Sequence, residues 1–168
     1  APFLGLFERR NPFREQTVED ERADRNAPEV VIFGLGRYGG RLAQQLQEAG
    51  IRVLGIDFDP ECVSGMRQAG IPVHYGDAQE SGFLEELPLN DAKWVVSALP
   101  DVDSNIAFLQ ALKERRFRGE VAFVARDDPH GLRLKQAGAP TVLYPMRDAV
   151  DYTVEHFVSL IRPEEEHP

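Results

Sequence analysis

The chain has 168 residues, of which 42% are apolar, and a formal net charge of −9. That length suits one domain with a buried core rather than two, and the acidic balance argues against nucleic acid as a partner, because phosphate-backbone binding rests on clustered Lys and Arg. A single cysteine, Cys62, excludes an internal disulfide and favours a reducing compartment; there is no paired Cys/His zinc spacing, and no run of about 18 apolar residues to span a membrane.

The sequence opens on the apolar stub Ala1-Pro2-Phe3-Leu4-Gly5-Leu6-Phe7, without an initiator Met or a signal peptide, and continues into Glu8-Arg9-Arg10. This reads as a cut inside a longer protein. From Glu8 to Asn26 charges alternate with little that could pack, which predicts a linker or a polar helix, and the folded unit is expected from near Ala27. Val30-Val31-Ile32-Phe33 is a short apolar run ending at glycine, the form of a strand buried on both faces of a parallel sheet. Leu42, Ala43, Leu46 and Ala49 then recur at helical spacing, which predicts a helix from Tyr38 to Ala49 stopped by Gly50.

The alternation continues with a second strand over Arg52 to Asp57, then a helix opened by Pro60 and closed by Gly70. A third strand is expected over Pro72 to Tyr75, a helix around Ser81 to Leu87, a fourth strand over Lys93 to Ala98 and a helix from Asp103 to Arg116. Val121 to Ala125 gives a fifth strand, Pro129 to Ala137 a helix stopped by Gly138, Thr141 to Tyr144 a sixth strand, and Arg147 to Ile161 a final helix ending before Pro163. Parallel strands joined by helices require crossovers of one hand, so the expected fold class is α/β, a Rossmann-type doubly wound parallel six-stranded sheet of order 3-2-1-4-5-6. The charged leading segment and the Glu164-Glu165-Glu166 tail are expected to be mobile.

Gly34-Leu35-Gly36-Arg37-Tyr38-Gly39 follows the first strand and opens the first helix. In that setting Gly34 makes the tight turn, Gly36 admits a pyrophosphate to the backbone, and Gly39 allows the helix to lie close on the strand. The helix N-terminus offers free N–H groups to phosphate oxygens, with Arg37 and Arg41 as added positive charge. The competing reading is a strand, turn and helix without a ligand. Asp57, about twenty residues beyond the loop, is placed to accept both ribose hydroxyls and to repel a 2′-phosphate, which disfavours NADP. Asp59 is the rival, with a helix cap as its other reading.

Gly76-Asp77-Ala78 and Ser97-Ala98-Leu99-Pro100 follow the third and fourth strands, at the carboxyl edge where open α/β sheets bind ligands. Asp77 is either a ligand contact or a helix cap. Asn105 and Arg126 fall near the same edge, Arg126 as a phosphate contact or a surface ion pair. Cys62 stands at a helix start, where a stabilised thiolate and an unremarkable helix residue are both open. His74, His130, His156 and His167 show no metal or relay pairing. With no G-x-S-x-G elbow and no Gly-Lys-Ser/Thr, hydrolase and P-loop readings fail, and no catalytic residue is assigned.

Val31 to Gly39, Val53 to Pro60 and Tyr75-Gly76-Asp77-Ala78, in that order and spacing, resemble the RCK (TrkA-N) domain that regulates potassium channels and transporters. The resemblance covers about Pro28 to Phe157. His130 to Gly138 is similar to the segment after the fifth strand in the Kef-type branch of cation:proton antiporters, and Phe7 to Arg14 to the charged segment after the last membrane helix there. The resemblance implies a cytosolic gating domain on the inner face of the membrane, homodimeric, binding NAD(H) or AMP, ADP or ATP as a regulatory ligand. It implies phosphate contact at Gly36, Arg37 and Gly39, ribose contact at Asp57, and nucleotide contact at Asp77, Ala98 and Arg126; Gly34, Tyr38, Phe58, Ala78 and Leu99, in or beside the same motifs, are expected to line the same nucleotide site.

On that reading, residues 1–27 form a juxtamembrane charged linker, 28–162 the nucleotide-binding domain and 163–168 an acidic tail. No motif after Arg126 matches the glutathione site of some members, and the separate C-terminal ligand subdomain of many RCK proteins is absent from this sequence. The final helix, with Ala149, Val150, Val154, Phe157, Val158 and Ile161, packs either on a second subunit or on its own sheet. The alternative function is a small NAD-dependent oxidoreductase or its subunit, which needs a Tyr/Lys or His/acid pair beside a nicotinamide; no suitably spaced partner for Tyr38, Tyr75, Tyr144 or Tyr152 is apparent.

Overall fold

Four consecutive apolar residues with no polar face can be satisfied only at the centre of a covered sheet, and Val30–Phe33 (β1) occupies that centre. The computed structural model describes residues 26–80 and 82–162; most of the leading charged segment and the Glu164-Glu165-Glu166 tail lie outside the described residues. After β1 come α1 (Arg37–Glu48), β2 (Val53–Asp57), α2 (Pro60–Gln68), β3 (Val73–Tyr75) and α3 (Phe83–Glu86). The second half follows as β4 (Trp94–Ser97), α4 (Val102–Glu114), β5 (Glu120–Val124), α5 (Asp128–Gln136), β6 (Thr141–Leu143) and α6 (Pro145–Ile161). All five strand pairings are parallel, in the order β3-β2-β1-β4-β5-β6, as the alternation of runs and helices predicts.

The pleat divides the core in two. Val31, Phe33, Val95 and Phe123 point to one face, where Phe108, Leu109 and Leu112 of α4 cover them. Val30, Ile32, Val96 and Ala122 point to the other, under Ala43 of α1 and Met66 of α2. The first layer is centred on Phe108, whose ring centroid lies 4.4 Å from that of Phe33 and 6.4 Å from that of Phe123. Burying each such side chain is worth roughly 1.5–3 kcal/mol, and tilted aromatic contact adds about 0.5–1.5.

Three helix starts, those of α2, α4 and α5, are set by carboxylates. Asp59 accepts from Glu61 N at 2.8 Å, Asp101 from Ser104 N at 2.8 Å and Asp127 from His130 N at 2.8 Å, each satisfying an amide the helix leaves free. This is why α4 begins at Val102 rather than Asp103. The helix expected from Ser81 is shorter than its apolar pattern suggests: among the described residues it runs only Phe83–Glu86, entered through Gly82 at φ 86°. Of α6 none of its 17 residues is buried, so its apolar side is not covered by the sheet of its own chain.

Candidate functional site

Strands β2 and β4 flank β1, and the chain leaves β1 between their carboxyl ends. Gly34 N donates to Ile56 O at 2.9 Å on one side, and Ala98 N donates to Phe33 O at 2.7 Å on the other, so both ladders continue into the glycine loop. Here a crevice of about 540 Å³ opens over the loop.

The three glycines divide their work. Gly34 has φ +86°, and a Cβ on it would lie 3.0 Å from the Ala98 carbonyl carbon and oxygen. A Cβ on Gly39 would fall 1.9 Å from the carbonyl oxygen of Gly34. Both are required by the backbone of the turn itself. Around Gly36 nothing lies within 4 Å of the added atom, so here the missing side chain leaves the backbone open to the crevice. Gly36 also caps α1, with no side-chain hydrogen bond at the cap and no acid in the first turn. The free amides of that turn therefore face the space a ligand would enter.

Leu35 secures the loop. Its side chain, 4% exposed, lies against Gly55 of β2, and its amide donates to Asp57 Oδ2 at 2.6 Å. Asp57 Oδ1 accepts from Asp59 N at 2.8 Å. Each oxygen keeps a lone pair after these bonds, so the carboxylate can still accept hydroxyl protons. Asp59 is also on the wall, but its Oδ1 takes the Glu61 amide and its Oδ2 lies 3.7 Å from Cys62 Sγ, a donor. The cap reading of Asp59 is the one the geometry shows. Burial first, and then the charges of Asp57 and Asp59, push the Cys62 thiol up, so it stays protonated rather than becoming a stabilised thiolate.

Ten of the twelve residues predicted from sequence surround this crevice: Gly34, Gly36, Arg37, Tyr38, Gly39, Asp57, Phe58, Ala78, Ala98 and Leu99. Phe58 is a rim residue, 57% exposed. Asp77 and Arg126 do not line it. Asp77 Oδ1 accepts from Gln79 N at 2.9 Å, closing a local turn rather than capping α3. Arg126 is exposed and makes no ion pair with another described residue; its amide donates to His130 Nδ1 at 3.4 Å.

Sequence reasoning missed Phe33, Ile56, Pro60, Cys62 and Val124 as parts of the wall, whereas Pro100, placed at the ligand edge from sequence, does line it. It also placed Asn105 at the ligand edge, whereas Asn105 is fully buried. Its Oδ1 accepts from Ser97 Oγ at 2.6 Å, and its Nδ2 donates to Leu99 O at 2.9 Å and Asp101 O at 2.8 Å. It fixes the β4–α4 loop from behind. A small polar pair eight residues apart, across a strand end and a helix start, was the available signal.

The sequence matches the TrkA-N domain family over residues 30–145. The glutathione-regulated potassium-efflux system protein KefC of Escherichia fergusonii is 33% identical over 124 residues, which is 74% of this chain and 20% of that protein. The chain thus spans about a fifth of the length of the curated relatives it matches. Among solved structures, the Kef CTD of Shewanella denitrificans in its AMP-bound form superposes with a TM-score of 0.64 at 23% identity, covering 78% of this chain and 80% of that one. The GsuK channel bound to NAD gives 0.58 at 20% identity, covering 69% of this chain and 21% of that one.

Proposed function

Because the chain belongs to the TrkA-N domain family, we propose that it is the nucleotide-sensing regulatory unit of a potassium-efflux or cation:proton antiport system. The observation that carries this reading is the open space over Gly36 at the uncapped start of α1, beside two glycines that the turn itself requires. A diphosphate or monophosphate accepts hydrogen bonds from the free amides of Gly36, Arg37 and Tyr38, and the α1 dipole favours its charge. The ribose hydroxyls donate to Asp57, and the base lies toward Phe58 and Ala78. Asp57 and Asp59 together make a 2′-phosphate unfavourable.

The ligand is NAD(H) or an adenine nucleotide such as AMP, ADP or ATP; the AMP-bound Kef structure and the NAD-bound GsuK structure support that class. The crevice wall is mostly glycine backbone and apolar side chains, with Arg37, Tyr38, Asp57, Asp59 and the protonated thiol of Cys62 among them, and we read it as a surface that holds a nucleotide. The nucleotide is a signal, sensed by differential affinity for two states of the domain. Residues 1–27 link the domain to a transporter on the cytoplasmic face of the membrane; among the described residues no helix is long and apolar enough to cross it. The uncovered side of α6, with Val150, Val154, Phe157 and Ile161 each more than half exposed, is the face on which two copies pair.

Isothermal titration with AMP, ADP, ATP, NAD and NADH tests the reading. At least one binds with a Kd in the micromolar range and without turnover. Failure of all five to bind overturns it, and net oxidation of NADH by an added carbonyl substrate would restore the oxidoreductase alternative.

A further inference from the structure

Four helices of this chain end in the same way. After α1, α2, α4 and α5 the amide two residues beyond the cap returns to a carbonyl five residues back, as Ile51 N does to Leu46 O at 3.0 Å and Phe117 N to Leu112 O at 3.1 Å. The residue in between turns left-handed. It is Gly50, Gly70 and Gly138 in three of them, at φ 82°, 78° and 88°, but Arg116 at φ 54° after α4. A side chain is strained in that conformation, and glycine is what the chain uses elsewhere. Arg116 is held against that cost.

The turn that carries it is basic. Lys113, Arg115, Arg116 and Arg118 fall within six residues that contain one acid, Glu114, in a chain of net charge −9. Arg116 and Arg118 are exposed, and none of the four cations makes an ion pair with another described residue. Strand starts fix where the turn lies. Glu120 N donates to Lys93 O at 2.8 Å, Lys93 N donates to Glu29 O at 2.9 Å, and Arg52 Nε donates to Ala27 O at 2.8 Å. The turn and the point where residues 1–27 join the domain therefore share the amino edge of the sheet, two strand spacings or roughly 10 Å apart, away from the crevice. Glu29 is no counter-charge to the turn, since Lys93 Nζ at 2.7 Å and Arg52 Nη1 at 3.5 Å already hold its carboxylate. Trp94, 37% exposed, starts β4 on the same edge, in register with Glu120.

We infer that the basic turn Lys113–Arg118 lies on anionic phospholipid headgroups of the membrane that carries the transporter, with Trp94 at headgroup level. The inference rests on the proposed tether to a membrane and adds a second contact to it. Cations exposed along a turn suit a flat charged surface, and an indole suits the boundary between headgroup and water. Four cations bind weakly by themselves, but a tether entering on the same edge keeps them at high effective concentration beside the surface. Because the rest of an acidic domain is repelled, the basic edge sets which way the tethered domain faces.

The test tethers the chain, by a histidine tag ahead of Ala1, to vesicles that carry a trace of nickel-chelating lipid in phosphatidylcholine, with or without roughly one-third phosphatidylglycerol. Trp94 is the single tryptophan, so its emission and its quenching by acrylamide report on this edge. On the phosphatidylglycerol vesicles the emission is expected to move to the blue and quenching to fall about twofold, and raised salt reverses both. Arg116→Gly and Arg118→Glu lose most of this change, whereas Arg126→Glu, exposed beyond the carboxyl end of β5, keeps it. R116G is expected to melt at or above wild type, because glycine relieves the left-handed turn, and this separates lost contact from lost fold. An equal change on phosphatidylcholine alone, no change on phosphatidylglycerol, or the same change with inorganic phosphate and no vesicles overturns the contact. So does full retention by R116G and R118E, or an equal loss in R126E, the mark of a general charge effect. Nucleotide calorimetry on the same wild-type protein is independent: binding without vesicle contact leaves the crevice reading in place, and vesicle contact without binding removes the crevice reading and keeps the basic edge.

Discussion

The amide of Leu35 donates to Oδ2 of Asp57 at 2.6 Å, so the acid proposed to hold the ribose also ties down the loop proposed to hold the phosphate. One carboxylate is thereby committed to both halves of the site. Asp57→Ala removes a charge-assisted bond worth about 1.5–3 kcal/mol and leaves the amides of Leu35 and Asp59 without their acceptor. The expected outcome is a stability loss of about 1–3 kcal/mol in a urea titration, together with at least a roughly tenfold weaker Kd for AMP. Unchanged stability would contradict the clamp, and unchanged affinity would shift the ribose role to Asp59.

Gly36 and Gly39 separate fold from ligand. A Cβ on Gly36 has no described atom within 4 Å, whereas one on Gly39 meets the Gly34 carbonyl. Gly36→Val is expected to melt within a few degrees of wild type and to lose nucleotide binding. Gly39→Val is expected to be destabilised by several kcal/mol, the scale of a severe backbone clash. Thermal melts paired with calorimetry check both, and a Gly36→Val protein that still binds AMP normally would remove Gly36 from the site.

Cys62 is on the crevice wall and held protonated by burial and by the acids beside it. Alkylation by iodoacetamide is therefore expected to be slow near neutral pH, to accelerate as pH rises, and to slow several-fold under saturating nucleotide. A rate indifferent to nucleotide would place the ligand away from α2.

His130 is buried, with Nε2 lacking a hydrogen-bond partner among the described residues and its pKa lowered from the ordinary 6.5, by burial first and then by Arg126. The unfolded chain therefore takes up this proton more readily than the folded one. The sign follows: stability is unaffected well above pH 6.5 and falls as the pH drops below it. Urea midpoints at pH 7.5 and 5.5 are expected to differ more for wild type than for His130→Phe; equal differences would show that His130 stays neutral in both states or charges freely in the fold.

The central strands were legible because they are short apolar runs that a covered parallel sheet satisfies, and Gly34 and Gly76 directly mark the ends of β1 and β3. The glycine loop was legible for the same reason, as Gly34, Gly36 and Gly39 fall at one strand-to-helix junction. Side-chain direction was not. Asp77 and Arg126 stand at the predicted edge, yet one turns into its own loop and the other outward, since position along the chain fixes where a Cα sits and not which neighbour satisfies its side chain. Asn105 shows the converse: a polar residue at the right edge is consumed by Ser97 and two carbonyls. The bare surface of α6 reads from sequence as an apolar stripe, but whether its own sheet covers it depends on the short β6 and the turn at Tyr144.

The central claim, that nucleotide phosphate sits on the amides at the start of α1, is tested most directly by following backbone amide chemical shifts during a titration with AMP or NADH. The account predicts that the largest changes cluster at Gly36, Arg37, Tyr38 and Asp57 and saturate with the calorimetric Kd. Saturable binding that leaves those four amides unmoved would contradict it.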